Sequence, residues 1–173
     1  KVYIIDPCIF PDTAILDPQF VAGLPAPMVA ATAMDALTHS IEAVMSRLSN
    51  DVCTGHALQA VRLIAAHLPE AVENPHNTQA RGKLQTAAAL AGWAFTVAQV
   101  GLAHAIAHSV GALMNVPHGI ACGILLPHVM RYNAEYVQDG LAMVAGALGV
   151  EAAGGSRAGV VLAAADSVRA LME

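Results

Sequence analysis

Aromatic side chains make up only 4% of this chain and charged ones only 12%. The first scarcity disfavours a β-sandwich; alanine does much of the filling instead, which suits closely packed helices. The second means that much of the surface is built to be covered, because 56% of the residues are hydrophobic. Basic residues are the scarcer of the two charges, 8 Lys and Arg against 13 Asp and Glu, and the net charge is −5. With no basic patch, nucleic acid and an anionic membrane surface are excluded as partners. Cysteine is limited to Cys8, Cys53 and Cys122. Three widely separated thiols fit neither a disulfide framework nor a paired metal site, and suit reduced thiols in a cytoplasmic protein. No secretory or transit segment is visible.

Between Lys83 and Arg131 there is no charged residue at all. About 20 apolar residues can span a bilayer. This run, however, carries Gln85, Gln99, Asn115, Pro117 and the histidines 104, 108, 118 and 128. No flanking basic cluster sets an orientation either. It reads as the central helices of a larger soluble protein. A chain of 173 residues is long enough for one domain with a real core.

The chain opens on Lys1 and a strand-like run at residues 2–5, as a piece of something longer would. Turn signals at Asp6-Pro7 and Pro11-Asp12 lead to a second short extended run at 13–16. Gly23-Leu24-Pro25-Ala26-Pro27 then breaks the chain, and a domain boundary is placed there, dividing 1–24 from 25–173. Beyond it the pattern predicts helices over 28–47, 52–68, 77–97, 100–114, 119–131 and 156–172. Asn50 or Asp51 caps the second, Asn77 or Thr78 the third, and Pro117 precedes the fifth. Residues 150–155 read as a small connection.

Three stretches concentrate the chemistry: Asp35 with His39, His104 with His108, and His118 behind Pro117. The first two pairs are four residues apart, which places both members on one helical face. Glu42 falls on the face of Asp35 and could orient a ligand imidazole. Asp35 and His39 also fit an exposed pair on an amphipathic helix, and a single core histidine can be satisfied by a backbone carbonyl. Two histidines at helical spacing in charge-free sequence, with a third at a helix start, point instead to a divalent metal. One carboxylate with several imidazoles suits Fe(II) or Zn(II) and not the all-oxygen shells of Ca or Mg. His56, His67, His76 and His128 have no comparable setting and receive no role.

Met34-Asp-Ala-Leu-Thr-His-Ser-Ile-Glu42, Gly101-Leu-Ala-His-Ala-Ile-Ala-His-Ser-Val-Gly111 and Pro117-His-Gly-Ile-Ala-Cys-Gly-Ile-Leu-Leu-Pro127 resemble the signature segments of iron-containing (group III) alcohol dehydrogenases. Ala14 to Pro18 with Leu24-Pro25 is similar to the interdomain link of that family, and residues 79–95 to its next helix. The resemblance covers nearly the whole chain. It implies a mainly α fold: a helical metal-binding bundle, preceded by short strands belonging to an α/β dinucleotide-binding domain. In that reading 1–24 holds the terminal strands and link, and 25–173 the front part of the helical domain.

The resemblance implies that Asp35, His39, His104 and His118 are the metal ligands, with His108 near the nicotinamide relaying the alcohol proton. It implies Fe(II), with Zn(II) as the other candidate, and NAD or NADP. The implied reaction is reversible oxidation of an alcohol to an aldehyde or ketone. His39 departs from the related glycerol dehydrogenases, which generally have no histidine there. Val97 stands where the family usually places a small polar residue, and no glycine-rich phosphate loop occurs in the sequence. The alternative is a metal-binding helical module without hydride chemistry; a metal hydrolase is weaker, since only His108 could serve as base. So apolar a surface is expected to be covered by the rest of its subunit or by a second copy in a homo-oligomer.

Overall fold

The computed structural model describes residues 6–9, 11–150 and 156–172. Among them seven α-helices carry the fold and no strand is formed: α1 (Ala26–Met45), α2 (Asp51–Glu73), α3 (Thr78–Ala98), α4 (Leu102–Met114), α5 (His118–Asn133), α6 (Gln138–Ala147) and α7 (Arg157–Ala170). Helices start where the sequence offers an oxygen or a proline. The side chain of Asn50 accepts from the Cys53 amide and that of Asn77 from the Ala80 amide, both at 2.9 Å. Ser156 accepts from the Gly159 amide. Each satisfies an N–H that a helix start leaves without a partner. Pro25 and Pro117, both with extended backbone, stand ahead of α1 and α5.

α1 is the hub, packed against α2, α3, α4, α5 and α6. From Ala33 to Met45 nearly every position is buried, including Leu37, Ile41 and Ala43, so this helix has no solvent face there. α2 and α3 form an antiparallel pair on one flank, and α5 and α7 pack together on another. Alanines at 57, 60, 87, 91 and 94 are fully or almost fully buried, which lets α2 and α3 approach closely. The charge-free run becomes most of α3, all of α4 and most of α5. No single helix among the described residues is long and apolar enough to cross a membrane, and the α3–α4 pair that approaches this is bent by 107°.

Three expectations need correction or extension. The run at 13–16 is not a strand: it forms no ladder, and Ile15 is 83% exposed. A strand requires a neighbour to accept its backbone bonds. The proposed strand at 2–5 lies outside the described residues. α2 continues past residue 68 to Glu73, running through Pro69 at the loss of one intrahelical bond. α6 was not expected at all. Its two internal glycines weaken local propensity, yet burial of Leu141, Val144 and Ala145 secures it, and Gly140 lets its backbone approach Val44.

The segment ahead of α1 is fastened by α3. Asp17 caps the short 3-10 turn Pro18–Val21, and Nη1 of the buried Arg81 on α3 donates to the carbonyls of Val21, Ala22 and Leu24. A second close contact fixes α5. A Cβ at Gly119 would stand 1.9 Å from the Ala31 carbonyl oxygen of α1, so only glycine allows the two backbones to meet. We expect Gly119→Ala to cost at least about 2 kcal/mol by overpacking, read as a lower urea midpoint. An unchanged midpoint would mean that α5 can slide on α1 without penalty.

Candidate metal centre

The chemistry-bearing residues converge because α1, α4 and α5 meet. α1 brings Asp35, His39 and Glu42; α4 brings His104 and His108; the start of α5 brings His118. The exposed-pair reading of Asp35 and His39 fails, since their side chains are 28% and 17% exposed and Glu42 is buried beside them.

Glu42 organises the site from below. Its Oε2 accepts from the Gly101 amide at 2.7 Å and its Oε1 from the Ala103 amide at 2.6 Å, at the first turn of α4. Oε2 also lies 2.7 Å from Nδ1 of His104. An ionised carboxylate can only accept, so the Nδ1 of His104 carries the proton in that bond. Its Nε2 is thereby turned toward Asp35. The chain makes room for this: Gln99 adopts φ 63°, ψ 173° at the end of α3, and a Cβ at Gly101 would stand 2.9 Å from Glu42 Oε1.

Above Glu42, His104 Nε2 and Asp35 Oδ1 face each other at 3.4 Å, both buried and neither in a properly formed hydrogen bond. Two lone pairs so placed repel unless a proton or a cation lies between them. Asp35 Oδ1 is also 3.3 Å from His118 Nε2. Nitrogen and oxygen donors about 2.0–2.1 Å from a tetrahedral ion lie about 3.3–3.4 Å from one another. The residues therefore fit a divalent ion, by charge and by spacing.

His39 and His108 frame this group differently. His39 Nδ1 is 3.8 Å from the other carboxylate oxygen, Asp35 Oδ2, and its ring stacks on His104 and Phe95 at 4.2 and 4.3 Å between centroids. His108 stacks on His118 at 5.0 Å. One residue was missed by sequence reasoning: Cys122, whose Sγ lies 3.6 Å from His118 Nε2. Donor atoms of Asp35, His104, His118 and Cys122 all lie within 4.8 Å of one another. The available signal was spacing, because Cys122 follows His118 by four residues on one helix. Of the histidines given no role, His56 packs edge-on against Trp93 and His128 is exposed.

Proton affinities follow from the crowding. Burial alone would raise the Asp35 carboxyl, but the imidazoles of His104, His39 and His118 outweigh it and hold the group low. Burial likewise opposes charge on His104, yet Asp35, Cys122 and Glu42 overcome it and raise the affinity of the ring for a proton. For His39 burial wins over the attraction of Asp35 and pulls the pKa down to about 4.

The chain belongs to the Fe-containing alcohol dehydrogenase family, whose C-terminal profile matches residues 29–173. It is 50% identical over 123 residues to 1,3-propanediol dehydrogenase of Citrobacter freundii, covering 71% of this chain and 32% of that protein. It is 38% identical over 158 residues to the NAD-dependent methanol dehydrogenase of Bacillus methanolicus, covering 91% and 42%. A crystal structure of 1,3-propanediol oxidoreductase superposes with a TM-score of 0.87 at 42% identity, covering 90% of this chain and 41% of that one. The chain spans about a third of the length of the first curated relatives it matches.

His39 gives a pH prediction for the metal-free chain. Its folded pKa of about 4 lies below the ordinary 6.5, so the unfolded chain binds more protons between these values. The contribution of His39 to stability is thus complete above about pH 6.5 and is lost as the pH falls toward 4. NMR titration of the ring should find its midpoint near 4, with the urea midpoint falling over the same window. An ordinary midpoint near 6.5 would contradict the packing of His39 against Phe95 and His104.

Proposed function

We propose that this chain is the metal-binding part of an NAD(P)-dependent alcohol dehydrogenase that reversibly oxidises a small alcohol to an aldehyde or ketone. The observation that carries the proposal is the unbonded pair of Asp35 Oδ1 and His104 Nε2, buried at 3.4 Å with His118 Nε2 beside it. Asp35, His39, His104 and His118 would hold the ion, with Fe(II) favoured by the family and Zn(II) suited to the same donors. When bound, the ion supplies Lewis acidity at the substrate oxygen.

The chain's own residues prepare that chemistry. Glu42 keeps the Nδ1 of His104 protonated, so that its Nε2 offers a lone pair to the site. Asp35 supplies the negative charge. His108 would carry the alcohol proton away, a role that its stacking on His118 supports. Residues 1–24 would be the link from a dinucleotide-binding domain, and 25–173 the helical domain. The Arg81 bonds to Val21, Ala22 and Leu24 support a fixed junction between them. NAD as cofactor is supported by the named specificity of the methanol dehydrogenase relative. The free thiols of Cys53 and Cys122 support a cytoplasmic location. The exposed Trp93, Leu113 and Met114 support covering by the rest of the subunit or by a second copy.

Titrating the full-length protein with Fe(II) under anaerobic conditions, alongside nicotinamide absorbance with a short-chain alcohol, tests the assigned roles. His104→Ala should abolish tight metal binding. His108→Ala should keep the metal and lower kcat by about 10²–10⁴-fold, the range for a positioned proton-transfer group. Equal loss of metal in both variants would overturn the division between ligand and proton carrier.

A further inference from the structure

The donor group contains one more atom than the family assignment uses. Cys122 is fully buried on α5, one turn beyond His118, with Sγ 3.6 Å from His118 Nε2. A thiolate about 2.3 Å from a tetrahedral ion, next to a nitrogen about 2.0–2.1 Å from it, stands about 3.6 Å from that nitrogen. The thiol therefore stands at ligand spacing from His118, just as Asp35 does. The independent sign that a ligand belongs here is the ring of His104. It is 1% exposed, and its Nε2 is aimed into the same group without a partner. His39, by contrast, faces the outer oxygen Asp35 Oδ2 and is held there by stacking between Phe95 and His104.

We propose that Cys122 is an alternative fourth metal ligand, so that the site takes zinc through Asp35, His104, His118 and the Cys122 thiolate. The inference rests on the metal-site reading above and deepens it: three donors are common, and two residues on opposite sides compete for the fourth place. A soft thiolate selects Zn(II), whereas a second imidazole suits Fe(II) equally well. Coordination replaces the S–H bond of Cys122 with an S–Zn bond and releases the proton to solvent. The resulting set has four protein donors, as the His39 set does, and differs from it in one thiolate that takes the place of an imidazole. Which ion occupies the centre is then decided by the balance between Cys122 and His39.

Cobalt reports a thiolate ligand directly, so the full-length protein is loaded with Co(II) alone and its spectrum recorded. The expected result is a thiolate-to-cobalt charge-transfer band that disappears in Cys122→Ser and in Cys122→Ala and persists in His39→Ala. In direct titrations Cys122→Ser should lose more than about 100-fold in Zn(II) affinity, beyond the 10–100-fold typical of outer partners. Its Fe(II) affinity should not change. Bound cobalt with visible ligand-field absorption but no charge-transfer band in the unmodified protein overturns this inference and leaves the metal-site reading standing. No bound cobalt at all overturns both. The unmodified spectrum decides the matter even where a variant fails to fold.

Discussion

A buried carboxylate holding three N–H groups from another helix is the constraint on which this structure depends. Glu42 is 2% exposed and would be costly to bury alone. The amides of Gly101 and Ala103 and the Nδ1–H of His104 meet it at 2.6–2.7 Å, which offsets that cost with charge-assisted bonds. The same bonds dock the first turn of α4 onto α1, and its first-turn amides offer partial positive charge to the carboxylate. Strain at Gln99, of about 1–3 kcal/mol for such a backbone conformation, is tolerated because it delivers Gly101 and Ala103 to this acceptor. Removing one partner of so buried a charged group costs about 3–5 kcal/mol. The anchor and the site therefore stand or fall together.

From that anchor the functional geometry follows by contact. Fixing Nδ1 of His104 leaves Nε2 to face Asp35, and the close approach of α5 at Gly119 brings His118 to the same carboxylate oxygen. The imidazoles cluster around Asp35, with His39 stacked on His104 and His108 stacked on His118. The alanine-rich walls of α2 and α3 support this layer by packing tightly against α1. Three chain segments far apart in sequence thus become one cluster of donors.

Much of this was legible in the residues themselves. Spacing of four placed Asp35 with His39 and His104 with His108, and helical spacing of seven put Glu42 on the face of Asp35, where it meets the His104 imidazole. The charge-free run marked the central helices. The family segments could be recognised because they carry these polar groups in otherwise apolar sequence. Legibility failed where tertiary packing overrides local preference: α6 with Gly140 and Gly146 forms because Leu141 and Val144 are buried, and α2 runs on through Pro69. It failed for Cys122 for another reason. Cysteine behaves as a small hydrophobe in most cores, and only its distance to His118 sets it apart. The extended run at 13–16 needed a partner strand that the described residues do not provide.

The most direct measurement is anomalous diffraction at the iron absorption edge, on crystals of the full-length protein grown anaerobically with Fe(II). A single peak is predicted between α1, α4 and α5, about 2.0–2.2 Å from Asp35 Oδ1, His104 Nε2 and His118 Nε2. The Glu42–His104 bond should be intact beneath it. An empty position there, or a peak elsewhere with Asp35 and His104 still 3.4 Å apart, would contradict the claim that this buried pair is built to hold a metal.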